Sequence, residues 1–218
     1  MTVTGTTPIS GSKQSRRRVI VAVVVAALIG AIAIDTKVVQ IGSETDLRQQ
    51  AFDPDRFGQS EFPRIRDFVA GRAPDAADLV AALDADRDAA IADYGRVAGA
   101  FPVLTARLTG VVGDGSSGIF EIAVDDLPDG PQIRVQTGPA INGTELRDIT
   151  GDIEFGNFTN QIEYQNAGAG INRAMAAEAL SGLDRDALPG QTVTVTGVFT
   201  MINPASWLIT PVTFEVAP

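Results

Sequence analysis

Cysteine and histidine are both absent from this 218-residue sequence, and lysine occurs only at Lys13 and Lys37. Without cysteine the chain has no disulfide framework, no thiol nucleophile and no thiolate metal site. Without histidine it has no Ser-His-Asp triad, no histidine-ligated zinc and no imidazole acid or base. Any catalysis would therefore depend on carboxylates, tyrosine, arginine and amides, and we expect neither a cofactor nor a metal.

Positive charge is also scarce. The chain carries 17 arginines and lysines against 27 acids, and its formal net charge is −10. Four of those bases precede residue 19 and no acid does, which leaves 13 bases against 27 acids in the rest of the chain. A nucleic-acid-binding protein needs a basic surface that neutralises phosphates. We therefore expect no nucleic-acid partner.

One hydrophobic run interrupts this acidic composition. Every residue from 19 to 34 is apolar or glycine, and Arg16, Arg17 and Arg18 come directly before the run. As a helix these 16 residues cover about 24 Å, and snorkelling arginines and local thinning can adapt a bilayer core of about 30 Å to that length. We predict a transmembrane anchor over Val19–Ile34, in contact with the cytoplasmic (inner) membrane. The basic flank then places a disordered tail, 1–18, in the cytoplasm and the remainder in the periplasm or outside.

The same run permits a second interpretation. Ala31-Ile32-Ala33 fits the small-x-small pattern at which signal peptidase cleaves, and the segment before the run is basic. A cleaved signal peptide and a buried core helix therefore remain alternatives to the anchor. The transmembrane anchor and the cleaved signal peptide both place residues 35–218 outside the cytoplasm.

Two periodicities divide the remaining chain. Residues 35–100 are predicted to form a stalk and a helical segment, in which Asp53-Pro54 begins a helix and Gly58 and Pro63 are candidate breaks. From Phe101 apolar residues alternate with polar ones, which predicts five strands over 101–218. A helix at about 166–180 falls between the third and fourth strands. We predict an α+β fold with an N-terminal transmembrane helix, the small helical segment and a five-stranded, OB-like antiparallel β-barrel. A simple antiparallel sheet with one helix is the alternative.

A polar and aromatic cluster between the third strand and that helix is the candidate ligand site. One arginine with acids, amides and aromatic rings suits a sugar or another small polar ligand, and a single tryptophan near the last strand is a candidate sugar platform. The predicted ligand-binding residues are Arg147, Asp148, Asn157, Phe158, Asn160, Gln161, Glu163 and Trp207. The alternative is structural: the arginine pairs with a carboxylate, the amides cap turns and the tryptophan lies in the core.

Several stretches resemble an uncharacterised family of predicted periplasmic lipoproteins, a domain of unknown function. They are Lys37-Val38-Val39-Gln40-Ile41, Gln136-Thr137-Gly138-Pro139, Gly143-Thr144-Glu145-Leu146-Arg147-Asp148, Phe158-Thr159-Asn160-Gln161-Ile162-Glu163-Tyr164 and Trp207-Leu208-Ile209-Thr210-Pro211-Val212. The resemblance covers about residues 36–216. It implies an association with ribose-type sugar ABC transporters, beside which such genes often lie, and it implies no catalytic residues. Asp35-Thr36 stand where that family has its lipid-bearing cysteine.

Together these observations predict a membrane-tethered, extracytoplasmic and non-enzymatic module. Its expected role is binding or accessory function for a sugar ABC transport system, with transporter components or a small sugar as partners. A carboxylate-dependent glycan hydrolase, working through a pair among Asp148, Asp152, Glu154 and Glu163, is the alternative. Such an enzyme needs two carboxyl groups on one open cleft.

Overall fold

The computed structural model describes residues 12–35, 52–127 and 129–217, and the chain divides into two compact units, Met1–Ala51 and Phe52–Pro218. In the first unit, helix α1 (Ser12–Asp35) is continuous. It therefore includes Ser12–Arg18, which the sequence predicted to be disordered. The predicted tail before Ser12 and the predicted stalk residues 36–51 lie outside the described residues.

The predicted membrane span is not supported. Among the described residues, no helix combines the length and the apolarity needed to cross a membrane.

The second unit begins with three helices: α2 (Pro54–Arg72), α3 (Ala76–Ala85) and α4 (Arg87–Tyr94). The predicted start of α2 is confirmed, because the Asp53 carboxylate accepts hydrogen bonds from the backbone N–H groups of Asp55 and Arg56 at 3.1 Å. The predicted break is wrong. Pro63 lies inside a continuous helix. The buried residues of that helix, Gly58, Phe62, Ile65 and Val69, pack it against the core.

Six strands form one sheet: β1 (Gly95–Ala98), β2 (Phe101–Ser116), β3 (Ile119–Ala123), β4 (Gln132–Gln136), β5 (Thr192–Thr200) and β6 (Ser206–Val216). The hydrogen-bonded order is β1-β2-β3-β4-β6-β5. The last strand in this order, β5, also pairs with the second strand, β2. Five of these strands were predicted and β1 was not. The sheet is also not purely antiparallel, because β4 and β6 pair in parallel.

Between β4 and β5 the chain forms a short helix, α5 (Glu145–Asp148), a 3-10 turn (Phe155–Asn157) and the long helix α6 (Gln161–Ala179). This confirms a helix between the third and fourth predicted strands. Ile171 and Met175 on this helix, and Leu180 at its C-cap, are all buried.

The sheet separates two apolar clusters. One contains Leu104, Phe199 and Trp207, and the other contains Phe62, Ile65 and the buried face of α6. Helix α2 packs along α6 over the second cluster. The N-terminal ends of both helices, with the loop before α6, therefore meet at the surface, where the candidate site lies.

Candidate functional site

Five of the eight predicted site residues are divided between two neighbouring clefts. The first cleft has a volume of about 480 Å³ and is lined by Phe52, Phe57, Glu61, Arg64, Asp152, Ile153, Asn157, Phe158 and Glu163. The second cleft has a volume of about 420 Å³ and is lined by Arg96, Val97, Ala98, Gly99, Arg147, Asp148, Gly151, Ile153, Glu154, Phe155 and Tyr164. Both volumes suit a small organic ligand. Ile153 borders both, so the loop before α6 forms the wall between them.

That loop is fixed by the capping of α6. The Asn160 side chain accepts a hydrogen bond from the backbone N–H of Glu163 at 2.9 Å, and the Glu163 carboxylate accepts one from the backbone N–H of Thr159 at 3.0 Å. Both side chains thereby satisfy donors that a helix N-terminus leaves unpaired. Asn160 has a structural role, and Glu163 combines such a role with a place on the first cleft.

Aromatic rings form one side of the first cleft. Phe52, Phe57 and Phe158 make a triangle whose ring centroids are 5.4–5.6 Å apart, with tilted or edge-to-face geometry. Such pairs stabilise each other and hold the rings in place. The apolar faces that border this cleft are therefore fixed before a ligand arrives.

The opposite side of the first cleft is polar. Arg64 on α2 donates to both oxygens of the Asp152 carboxylate, at 2.7 and 3.2 Å, and to Glu61 at 2.6 Å. A hydrogen bond from Thr150, followed by the Arg64 contacts, lowers the pKa of Asp152 below its ordinary value despite partial desolvation. The Asp152 carboxylate is therefore held ionised. The cleft carries three acids and one arginine, a formal charge of −2.

Arg147 dominates the second cleft and is 7% exposed. Its Nε donates to Asp148 at 2.8 Å, its Nη1 donates to the carbonyl oxygen of Tyr164 at 3.2 Å, and its guanidinium lies 3.7 Å from the centre of the Tyr164 ring. Asp148 also accepts from the Thr144 hydroxyl at 2.6 Å. This is the charge pairing that the structural alternative required.

The remaining two predicted residues border neither cleft. Trp207 is 1% exposed, stacks on Phe199 with centroids 4.5 Å apart, and donates its indole N–H to the carbonyl oxygen of Pro204 at 3.0 Å. Trp207 therefore packs in the core, as the structural alternative predicted, and it also lines a smaller third pocket with Met201 and Pro204. Gln161 is exposed in the first turn of α6.

Residues that the sequence did not predict and that the fold brings to these clefts include Phe57, Glu61, Arg64 and Arg96. The first three lie on α2, almost 90 positions before the loop that they face. The helical spacing of Phe57, Glu61 and Arg64 indicated a common face, but nothing local indicated its partner. In the part of the chain that the structure describes, no three or more acidic side chains form a group able to hold a metal ion.

Comparison with known proteins supports this fold. A solved OB-fold protein from Thermotoga maritima is similar to the chain at a TM-score of 0.61 and 19% sequence identity, and the match covers 77% of this chain and 99% of that one. Among curated proteins none matches significantly. A family model described as predicted periplasmic lipoprotein, DUF2291, matches residues 21–215. The chain belongs to this family of predicted periplasmic lipoproteins, a domain of unknown function.

Proposed function

We propose that the chain is a non-enzymatic, extracytoplasmic binding module whose first cleft takes a neutral sugar. The observation that carries this proposal is the convergence of fixed aromatic faces with carboxylates and an amide on one cleft of about 480 Å³. Sugar rings stack their C–H faces on aromatic rings, and their hydroxyls hydrogen-bond carboxylates and amides. A few polar groups beside an apolar wall are typical of small-molecule sites.

The charge of the first cleft favours a neutral ligand. Its formal charge of −2 repels sugar acids and sugar phosphates, because like charges across a binding surface disfavour the wrong partner. Pentoses and hexoses carry no charge and expose hydroxyls on all sides. They are the ligand class that we propose.

The carboxylates support binding over hydrolysis. A glycosidase needs a general acid whose pKa is raised, so that it is protonated at working pH. The pKa of Asp152 is instead lowered, by Thr150 and then Arg64. Glu163 is engaged in capping α6, and Asp148 borders the other cleft and pairs with Arg147.

We further propose that the apolar run of α1, which directly follows Arg16, Arg17 and Arg18, holds the module at the membrane. Its service to a sugar ABC transport system rests on the family resemblance alone. Co-purification of the chain with sugar-transporter subunits from solubilised membranes tests that association. Recovery of the chain without any such subunit would remove it from the account.

Calorimetric titration of the full-length chain with D-ribose, D-xylose, D-glucose and D-galactose tests the ligand. The informative variant is Asn157→Ala, because Asn157 is exposed and borders the first cleft. Its side chain makes no hydrogen bond to another described residue, so the variant should fold normally. Asn166→Ala is the matched control, an exposed amide on α6 outside both clefts.

We expect at least one of these sugars to bind the wild type and Asn166→Ala equally, and to bind Asn157→Ala about tenfold more weakly, as the loss of one neutral hydrogen bond allows. Absence of binding by all four sugars would refute the proposed ligand class. Equal binding by both variants would place the site elsewhere.

A further inference from the structure

The second cleft differs from the first in its charges. Two guanidinium groups reach it, Arg96 from β1 and Arg147 from α5, against the carboxylates of Asp148 and Glu154. The first cleft has one arginine and three acids. In a strongly acidic chain, the second cleft is therefore the more favourable of the two for an anionic group.

Arg147 is oriented before any ligand binds. Its Nε and Nη1 are engaged by Asp148 and the carbonyl oxygen of Tyr164, and its planar group lies over the Tyr164 ring. Its Nη2 hydrogen-bonds to no described residue, and it is not among the fully buried atoms that lack a partner. The Nη2 group of this nearly buried guanidinium therefore keeps some contact with solvent, and Arg147 lines the second cleft.

Arg96 provides a second donor group. It forms no ion pair with any residue in the described ranges. Its guanidinium lies against the backbone of Gly151, where a Cβ atom would overlap Nη1. Gly151 also has a φ of +81°, so a glycine at this position both permits the turn and makes room for Arg96.

Asp148 does not compete strongly for these donors. Its carboxylate already accepts from Arg147 at 2.8 Å and from the Thr144 hydroxyl at 2.6 Å. Glu154 is exposed to solvent, so its charge is screened. The rim also offers apolar surface, because Val97 is 62% exposed and Phe155 is 51% exposed.

We propose that the second cleft binds the carboxylate of a small organic acid, with Arg147 Nη2 and the Arg96 guanidinium as the donors. Arg96 suits a carboxylate because its planar fork matches the two oxygens, and Arg147 Nη2 adds one further donor. The apolar rim receives the body of the acid. This site is separate from the proposed sugar site and does not depend on it.

Titration of the full-length chain with D-glucuronate, benzoate and D-glucose tests the proposal. The two acids share a carboxylate and differ in their bodies, whereas D-glucose is the neutral counterpart of D-glucuronate. Arg96→Ala is the informative variant because Arg96 forms no ion pair with another described residue. Arg56→Ala is the matched control, with the same change of charge at a side chain that is 86% exposed.

We expect at least one acid to bind the wild type and Arg56→Ala equally, and Arg96→Ala about tenfold or more weakly. Arg96→Lys should recover part of the affinity, because it restores the charge without the fork. If both acids bind, a carboxylate is sufficient for recognition by the second cleft. If only D-glucuronate binds, the ligand of this cleft is a sugar acid. The affinity of the chain for D-glucose should be unchanged by Arg96→Ala.

The proposal is overturned if neither acid binds, or if Arg96→Ala binds both as tightly as the wild type. Its failure is distinguishable from failure of the sugar site, because the sugar site responds to Asn157→Ala with neutral sugars and this one responds to Arg96→Ala with acids.

Discussion

Gly58 on α2 and Gly170 on α6 face each other so closely that a Cβ atom on Gly58 would overlap the carbonyl oxygen of Gly170. A Cβ on Gly170 would in turn overlap the carbonyl oxygen of Pro54. The close approach sets the distance between the two helices whose N-terminal ends carry the first cleft. Helix packing and the shape of the cleft are therefore coupled.

The first prediction concerns this contact. Gly58→Ala should destabilise the chain by about 1–3 kcal/mol, because the backbones of α2 and α6 must separate to admit the methyl group. Gly71→Ala is the control in the same helix, since a Cβ there meets nothing within 4 Å. It should be neutral or stabilising by about 0.5–1 kcal/mol. Denaturant unfolding of both variants measures the contrast, and equal stabilities would show that the helices are not tightly apposed.

The second prediction separates the two arginines of the second cleft. Arg147→Ala should destabilise the chain by about 3 kcal/mol, the lower end of what breaking a buried pair costs, because Asp148 keeps its Thr144 partner. Arg96→Ala should change stability by no more than about 0.5 kcal/mol. Thermal melts monitored by circular dichroism compare the two. A fully stable Arg147→Ala chain would show that Arg147 contributes little to folding.

The third prediction concerns pH. Burial raises the pKa of Glu145 above its ordinary value of 4.5, although its own backbone and the Thr200 hydroxyl partly offset this, and Asp148 and Arg147 act on it with opposite signs. The folded state therefore binds a proton more readily than the unfolded state, and stability should rise as the pH falls toward 4.5. Asp152 has the opposite shift, so its contribution is lost only below its ordinary value of 3.8.

Glu145→Gln should remove the increase in stability that protonation of Glu145 contributes as the pH falls. As the pH falls toward 4.5, the free energy of unfolding of the wild type should rise relative to that of Glu145→Gln. Glu215→Gln, at an exposed position, controls for the loss of one charge. Parallel curves for the wild type and Glu145→Gln would rule out a coupling between Glu145 protonation and folding.

The fourth prediction uses the single tryptophan. Trp207→Ala should destabilise the chain by about 3–5 kcal/mol, as for other large buried aromatic residues. Because Trp207 is 1% exposed and borders neither described cleft, its fluorescence should report unfolding and should not change when a sugar binds. A sugar-dependent quench at constant stability would place a ligand close to Trp207 after all.

Local signals in the sequence predicted local structure well. Asp53-Pro54 marks the start of α2 because capping and the fixed φ of proline act within one turn. Alternation predicts β2 because residues 108, 110 and 112 are buried and residues 107, 109 and 111 are exposed, although residues 102–106 are buried on both faces. The four-residue strand β1 was missed, since its single alternation is too short to differ from a loop.

The site was predicted only in part, because its composition is a property of tertiary structure. Asn157, Phe158 and Glu163 share one cleft with Arg64, which lies far away in the sequence. Arg147 was grouped with them by proximity in the chain, but the loop before α6 places it on the other side. Trp207 could not be assigned from sequence, since a platform and a core anchor both require an aromatic residue near a strand.

Hydrogen exchange of the full-length chain, with and without saturating D-ribose or D-glucose, tests the proposed sugar site most directly. We expect slower amide exchange at residues 52–64 and 152–163, which border the first cleft, and unchanged exchange at residues 95–99, which border the second. Protection confined to residues 95–99, or identical exchange in the presence and absence of both sugars, would contradict it.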